Sequence, residues 1–221
     1  MSRDVRAFVR DKLGHDPKDI GLFELALTHS SAASTNYERL EFLGDRVLGM
    51  VIAHALYERY PSEPEGNLSK RYNALVDRET CAENGREIGI PSLVRLGRQA
   101  REDGATQSAN VVGDVVEALI GALFLDGGQE AAQRFILGLW EADLSSQRRA
   151  PQHPKSALQE LAASKGGKAP LYEVVSQTGA HHSPTFTIRV SVPHLGDATA
   201  EGTSKQEAET AAALALLSKL K

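Results

Sequence analysis

A chain of 221 residues is long enough for one generous domain or two modest ones. With 41% hydrophobic and 24% charged residues and a single cysteine, Cys81, it has the composition of a water-soluble protein without an intramolecular disulfide, which fits a reducing cytoplasm. The formal charge of −4 argues against a large nucleic-acid footprint, but the charge is uneven: residues 152–221 hold 7 Lys and Arg against 6 Asp and Glu, and residues 1–151 hold 18 against 23. The charged start, Met1-Ser2-Arg3-Asp4, lacks the apolar run of a secretory signal. No membrane span is expected either, because the apolar stretches are interrupted by His54 or by Asp114 and Glu117.

Val5, Phe8, Val9 and Leu13 recur at helical spacing, with Gly14 as a stop. A second helix is expected from near Asp19 through Phe23, Leu25 and Leu27 to Thr28-His29-Ser30-Ser31. Asn36 then stands where a cap would start a long helix that ends before Pro61. That helix carries Glu38-Arg39-Leu40-Glu41-Phe42-Leu43-Gly44-Asp45-Arg46-Val47-Leu48-Gly49. Glu38, Glu41 and Asp45 fall within about 60° of one another at ~100° per residue, so the three carboxylates share a face. The flanking Leu40, Phe42, Leu43, Val47, Leu48, Met50, Val51 and Ile52 leave little room for a wet face. Like charges there repel and lose hydration unless compensated, most simply by a divalent cation. A solvated acidic stripe is the alternative.

Pro61 to Asn67 is turn chemistry, and one helix is expected from about Leu68 to Ile88. Pro91 to Ala109 reads as loop, with Arg95, Arg98 and Arg101 either meeting phosphate or simply solvated. From Val111 to Leu125 the residues are apolar on all sides, which marks a core helix closed by Asp126-Gly127-Gly128. Asp114 and Glu117 share a face of it. They either pair with buried basic residues or meet the first acidic cluster across the helix interface. A helix from about Gln129 to Leu144 completes an all-helical first domain, and Ser145 to Pro154 has no apolar periodicity and reads as a linker. A short helix to about Lys165 follows, then strands over Leu171–Gln177, Thr185–Val192 and about Ala198–Glu201, and a last helix capped by Ser204. This is a small α+β domain of about 70 residues, near the lower limit for folding alone.

Glu38 through Asp45 resembles the signature of the ribonuclease III family, and Asp114 through Ala122 resembles that family's second acidic motif. Lys155-Ser156-Ala157-Leu158-Gln159-Glu160, Tyr172, Gly179 through Phe186 and Gly202 through Glu209 are together similar to a double-stranded-RNA-binding domain. The resemblance covers nearly the whole chain in the order of the bacterial enzymes. It implies an all-α endonuclease domain over residues 1–146, a linker over 147–153 and an α-β-β-β-α double-stranded-RNA-binding domain over 154–221.

The implied activity is Mg²⁺-dependent hydrolysis of both strands of duplex RNA, with Mn²⁺ as a substitute, leaving 5′-phosphates, 3′-hydroxyls and short 3′ overhangs. The chemistry suits the residues: a phosphodiester is an anion, so hydrolysis needs positive charge that carboxylates alone do not supply. Hard oxygen ligands favour Mg²⁺, which acidifies water and stabilises the leaving oxygen. By motif position the resemblance makes Glu41, Asp45, Asp114 and Glu117 the metal-binding quartet, with Asp45 and Glu117 catalytic. Glu38 and Glu65 are auxiliary acidic positions for RNA placement, although Asn67 stands where an Asp is expected and Glu63 is a near neighbour. Gly44 would serve close helix packing. Phe42 docks into the partner of a homodimer in the family, and packing in its own core is the alternative.

In the second domain the resemblance assigns Gln159 and Glu160 to 2′-hydroxyls, His182 to a second minor groove and Lys205 to phosphate at a helix start. Gln206 stands where a second lysine is common and Ala180 where proline is common, so modest affinity is expected from this domain alone. The implied role is processing of ribosomal RNA precursors and of some messenger and transfer RNA precursors in the cytoplasm. The competing reading, a regulatory protein that binds duplex RNA without cutting, leaves the acidic quartet without a use.

Overall fold

Among the described residues the first part of the chain forms eight helices: α1 (Ser2–Leu13), α2 (Ile20–Ala26), α3 (Glu38–Arg59), α4 (Glu65–Leu75), α5 (Arg78–Glu87), α6 (Arg98–Glu102), α7 (Ala109–Leu139) and α8 (Glu141–Ser146). The computed structural model describes residues 2–146, 154–180 and 183–220. The chain divides into two compact units, residues 1–151 and 152–221, and the stretch expected as linker, 147–153, lies outside the described residues. No helix among the described residues is long and apolar enough to cross a membrane.

In the first unit α3 and α7 lie against each other and form the axis of the core. Their contact is made by backbone. A Cβ added at Gly44 would sit 1.7 Å from the Glu117 carbonyl oxygen, and one at Gly121 would sit 2.3 Å from that of Leu40. Only glycine permits this approach, which brings the acidic turns of the two helices side by side. Around this axis Leu48, Ile52, Val112, Val116 and Leu119 are fully or nearly fully buried. Trp140, at the end of α7, donates its indole N–H to the Leu75 carbonyl at 2.7 Å and ties the end of α4 to the core.

Helix α2 stops at Ala26, short of the expected Thr28–Ser31, and three further expectations need correction. The helix expected over Leu68–Ile88 is two helices, because Asp77 takes an extended conformation and its carboxylate accepts the Thr80 N–H at 2.8 Å, capping α5. The region 91–109 is not all loop: α6 carries Arg98 and Arg101, and short 3₁₀ turns flank it. Gly127-Gly128 does not separate two helices by a loop. Gly128 alone, at φ +77° and ψ −177°, breaks α7, and the chain resumes as helix immediately. Asp126, just before the break, accepts His15 Nε2 at 2.6 Å and the backbone N–H groups of Lys18 and Asp19 at 2.9 and 2.8 Å, which pins the turn between α1 and α2. Burial would raise this carboxyl, but the three hydrogen bonds outweigh it and hold the group below its ordinary range.

The second unit consists of α9 (Pro154–Ser164), β1 (Leu171–Ala180), β2 (Ser183–Val192), β3 (Gly196–Gly202) and α10 (Lys205–Lys219). The strands form an antiparallel sheet in the order β1-β2-β3, with a bulge in β1 between Val174 and Ser176. Ile188, Val190 and Val192 alternate inward, and the last two meet Leu158, Ala162, Ala212, Ala213 and Leu216 in a separate core. Ser204 caps α10 by accepting the Glu207 N–H at 3.1 Å, as its sequence position predicts.

The glycine crossing makes a direct prediction. Gly44→Ala forces backbone against backbone, with no flexible side chain to yield, and is expected to destabilise the first unit by about 1–3 kcal/mol or more. Urea unfolding followed by circular dichroism would read it. Stability equal to the parent chain would show that the two helices are not held this close.

Candidate active site

The site is built from the facing turns of α3 and α7. Glu41 is half-buried in the first turns of α3, and Asp114 and Glu117 are half-buried on α7 one turn apart. The three feel each other's charge. Burial first, and then Glu41 and Asp114, push Glu117 up to about 7. Burial first, then Asp114 and Glu38, raise Glu41. Burial raises Asp114, while the Tyr37 hydrogen bond, Arg78 and His29 work the other way. Arg78 is therefore a cation shared by all three carboxylates. It is exposed at the start of α5, so the acids are not neutralised by a buried base.

Asp45, one turn after Glu41, is only partly buried and is ion-paired with the adjacent Arg46, whose guanidinium also lies 4.7 Å over the Phe42 ring. Glu38 is exposed and acts on the cluster only through its charge on Glu41 and Tyr37. The face shared by the three α3 acids is thus graded, with Glu38 in water and Glu41 and Asp45 half-buried. The crowded apolar surroundings expected of it are also incomplete, since Phe42 and Met50 are exposed. Glu65 is exposed in the first turn of α4, where it accepts the Ser69 hydroxyl at 2.6 Å, and none of the shifts in the cluster traces to it. The turn before Glu65 is rigid: buried Arg71 donates to both oxygens of Glu63 at 2.8 and 2.7 Å and stacks 3.7 Å over the Tyr60 ring.

The donor set suits a hard divalent cation. It is all carboxylate, half-buried and short of positive charge, the condition a bound Mg²⁺ or Mn²⁺ relieves. Among the described residues no three His, Cys, Asp or Glu side chains are gathered closely enough to hold an ion as they stand, and Asp45 would have to turn from Arg46 to join. Cys81 takes no part. It is buried, and burial, with Glu117 and Asp77 nearby, pushes its thiol up to about 12.

Two residues of the site had no signal in the sequence reading. Tyr37 is buried immediately before α3 and donates its hydroxyl to Asp114 Oδ2 at 3.1 Å. Burial first, and then Asp114, raise its phenol. Arg78 stands next to Asp77, and the capping role of Asp77 could have placed it at a helix start but not beside the acids.

In the second unit Gln159 and Glu160 are exposed on α9, and Lys205 is exposed as the first residue of α10, with its Nζ 5.9 Å over the Phe186 ring. The two helices are tied at their starts, where Lys155 Nζ meets Glu209 at 2.5 Å over the Tyr172 ring. His182 lies outside the described residues.

A helical unit with two acidic motifs on crossing helices, followed by an α-β-β-β-α unit with polar exposed helix starts, defines a nuclease joined to a duplex-RNA-binding module. Family models agree: a ribonuclease-III-like domain matches residues 19–142, and a double-stranded RNA binding motif matches residues 154–220. Ribonuclease 3 of Zymomonas mobilis is 56% identical over 211 residues, 96% of this chain and 86% of that protein. Ribonuclease 3 of Rhodopseudomonas palustris is 40% identical over 99% of this chain and 82% of that protein. A solved nuclease domain of ribonuclease III from Campylobacter jejuni, described as flexible in a region involved in dimer formation, superposes with a TM-score of 0.61 at 33% identity, covering 62% of this chain and 97% of that one. The chain belongs to the ribonuclease III family of double-strand-specific endoribonucleases.

The electrostatics of the acids predict a pH dependence. Glu117 holds its proton in the fold up to about 7 against an ordinary value of 4.5. Its contribution to metal-free stability is therefore complete below about pH 4.5 and lost as pH rises through about 7, a change of order 1–3 kcal/mol. Denaturant unfolding in EDTA across this range should show the loss, and Glu117→Gln should flatten it. The same slope in both proteins would place the titration elsewhere.

Proposed function

We propose that this chain hydrolyses duplex RNA with Mg²⁺ held by Glu41, Asp45, Asp114 and Glu117, leaving 5′-phosphates, 3′-hydroxyls and short 3′ overhangs. The observation that carries the proposal is the juxtaposition of half-buried acids on two helices that glycines bring into backbone contact. Glu117, Glu41 and Asp114 are all raised by burial, and Glu41 and Asp114 push on their neighbours, on two helices held together by glycines. When bound, the cation supplies positive charge towards the phosphodiester and a lowered pKa for water. The chain's own residues set where that charge sits. Glu117 and Asp45 are proposed as the catalytic pair, Glu41 and Asp114 as further ligands, and Glu38 and Glu65, both exposed, as outer acidic contacts for RNA. Mn²⁺ can take the place of Mg²⁺ in such an oxygen site.

Gln159, Glu160 and Lys205 would grip the duplex by shape, through 2′-hydroxyls and phosphate, with His182 reaching a second groove. A lysine at the start of a helix has both its own charge and the helix dipole to offer a phosphate. Processing of ribosomal RNA precursors, and of some messenger and transfer RNA precursors, in the cytoplasm is the role that fits such an enzyme.

The same reading gives a homodimer. Phe42 is 65% exposed, too far out to serve its own core, and it borders a groove of about 950 Å³ lined by Leu25, Asn36, Arg39, Leu40, Leu43 and Leu125. A two-fold association lets each subunit's Phe42 enter the other's groove, so one patch supplies both halves of the contact. Dimer formation described for the Campylobacter jejuni domain supports this.

Two measurements test the proposal. Long duplex RNA should be cut in Mg²⁺ and persist in EDTA. Glu117→Gln should lower cutting by at least 100-fold while duplex affinity stays within about twofold, because the change removes a ligand and keeps the shape. Intact duplex in both Mg²⁺ and Mn²⁺ would favour the non-cleaving regulatory reading, and normal cutting by Glu117→Gln would remove the quartet. For the dimer, Phe42→Asp should shift sedimentation from dimer to monomer at micromolar concentration, and an unshifted profile would leave Phe42 outside the interface.

A further inference from the structure

We infer that Tyr37 is a positioning residue for the metal-binding acids, acting through Asp114; the inference rests on the quartet proposed above. Tyr37 is 3% exposed, and its hydroxyl donates across to Asp114 Oδ2 on α7, at 3.1 Å. Phenylalanine would fill the same space without a polar group to satisfy, so the hydroxyl answers to the carboxylate rather than to the packing. The phenol donates this hydrogen bond to the carboxylate.

Its backbone fixes where that donor stands. The Tyr37 N–H donates to the Thr28 carbonyl at 3.0 Å, and its own carbonyl accepts the N–H groups of Leu40 and Glu41 at 2.8 and 2.9 Å. The residue therefore joins the segment after α2 to the first turn of α3, the turn that carries Glu41. The His29 ring meets the Tyr37 ring edge-on, with centroids 5.6 Å apart, and the His29 N–H is held by the Arg95 carbonyl at 3.0 Å. The residue is thus held by its backbone on both sides and by the His29 ring, and its phenol reaches across to the other helix of the site.

Asp114 needs such a hold. It stands beside Glu41 and Glu117, and in the absence of a cation like charges drive carboxylates apart and towards water. A hydrogen bond to one oxygen sets the carboxylate plane and keeps the group facing the cluster, so less ordering remains to be done when a cation arrives. Partners of this kind behind a ligand are worth roughly 10–100-fold in metal affinity.

The test is Mn²⁺ binding to the 221-residue chain without RNA, read from the electron paramagnetic resonance signal of free Mn²⁺. Tyr37→Phe is expected to weaken binding about 10-fold, and to raise by a similar factor the Mg²⁺ concentration needed for half-maximal cutting, with cutting recovering as Mg²⁺ is raised. Phe23→Leu, a change in the same core away from the acids, controls for stability and should leave Mn²⁺ affinity unchanged even if it lowers the melting temperature further. Unchanged Mn²⁺ affinity in Tyr37→Phe, or an equal loss in Phe23→Leu, would overturn the inference. Glu117→Gln in the same assay separates the two levels: if it loses Mn²⁺ while Tyr37→Phe does not, only the role of Tyr37 fails. If both bind as the parent does, the quartet itself fails.

Discussion

The contact between α3 and α7 at Gly44 and Gly121 decides most of what this nuclease unit can do. Side chains at these positions would separate the helices by the width of a methyl group or more, and with it the turns bearing Glu41, Asp114 and Glu117. The 1.7 Å that a Cβ at Gly44 would leave to the Glu117 carbonyl means that the backbone of a candidate catalytic residue is itself the packing surface. Close approach and acidic crowding are one feature seen from two sides. The apolar packing of Leu40, Leu48, Val116 and Leu119 supplies the burial that holds the crossing shut against the repulsion it creates.

That repulsion is offset only in part. Arg78 reaches all three of the coupled acids but is exposed, so solvent screens it. Arg46 is spent mainly on Asp45 and on the face of Phe42. Tyr37 contributes a donor but no charge. The remainder is a deficit of positive charge in a half-buried setting, and it has a direction: anything cationic that enters binds the folded form and not the unfolded chain, and so stabilises the fold as it loads. A site that is uncomfortable when empty is a common cost of function, and the glycine crossing with its apolar core is what allows the chain to carry it.

Much of this was legible in the sequence because the signals are local. Acidic spacing within one helix, the glycine beside Asp45, the Ser204 cap and the alternation of Ile188, Val190 and Val192 depend on neighbours a few residues away. What the sequence hid is non-local or turns on a single residue. Asp77 falls inside the single helix expected over Leu68–Ile88, and only the fold shows its carboxylate capping α5. Tyr37 carries no sequence signal for its role, because its partner Asp114 is 77 residues away. Phe42 and Met50 count as apolar in any periodicity, which left Phe42 open between a partner and its own core, and the fold shows both exposed. Apolar periodicity cannot distinguish a face buried in its own subunit from one that remains open to another.

The two units divide the task along the same physical line. Recognition of a duplex by shape asks for exposed polar groups on rigid supports, and Gln159, Glu160 and Lys205, the residues proposed for it, are exposed on helices tied by Lys155 and Glu209. Contacts of this kind need no burial and weaken with salt. The acids of the first unit work by the opposite rule: their value lies in being half-buried and close, where charge is felt strongly. A small domain of about 70 residues can meet the first demand with a modest core. The second demand requires the larger helical core, because only extensive apolar packing can hold like charges together before a cation arrives.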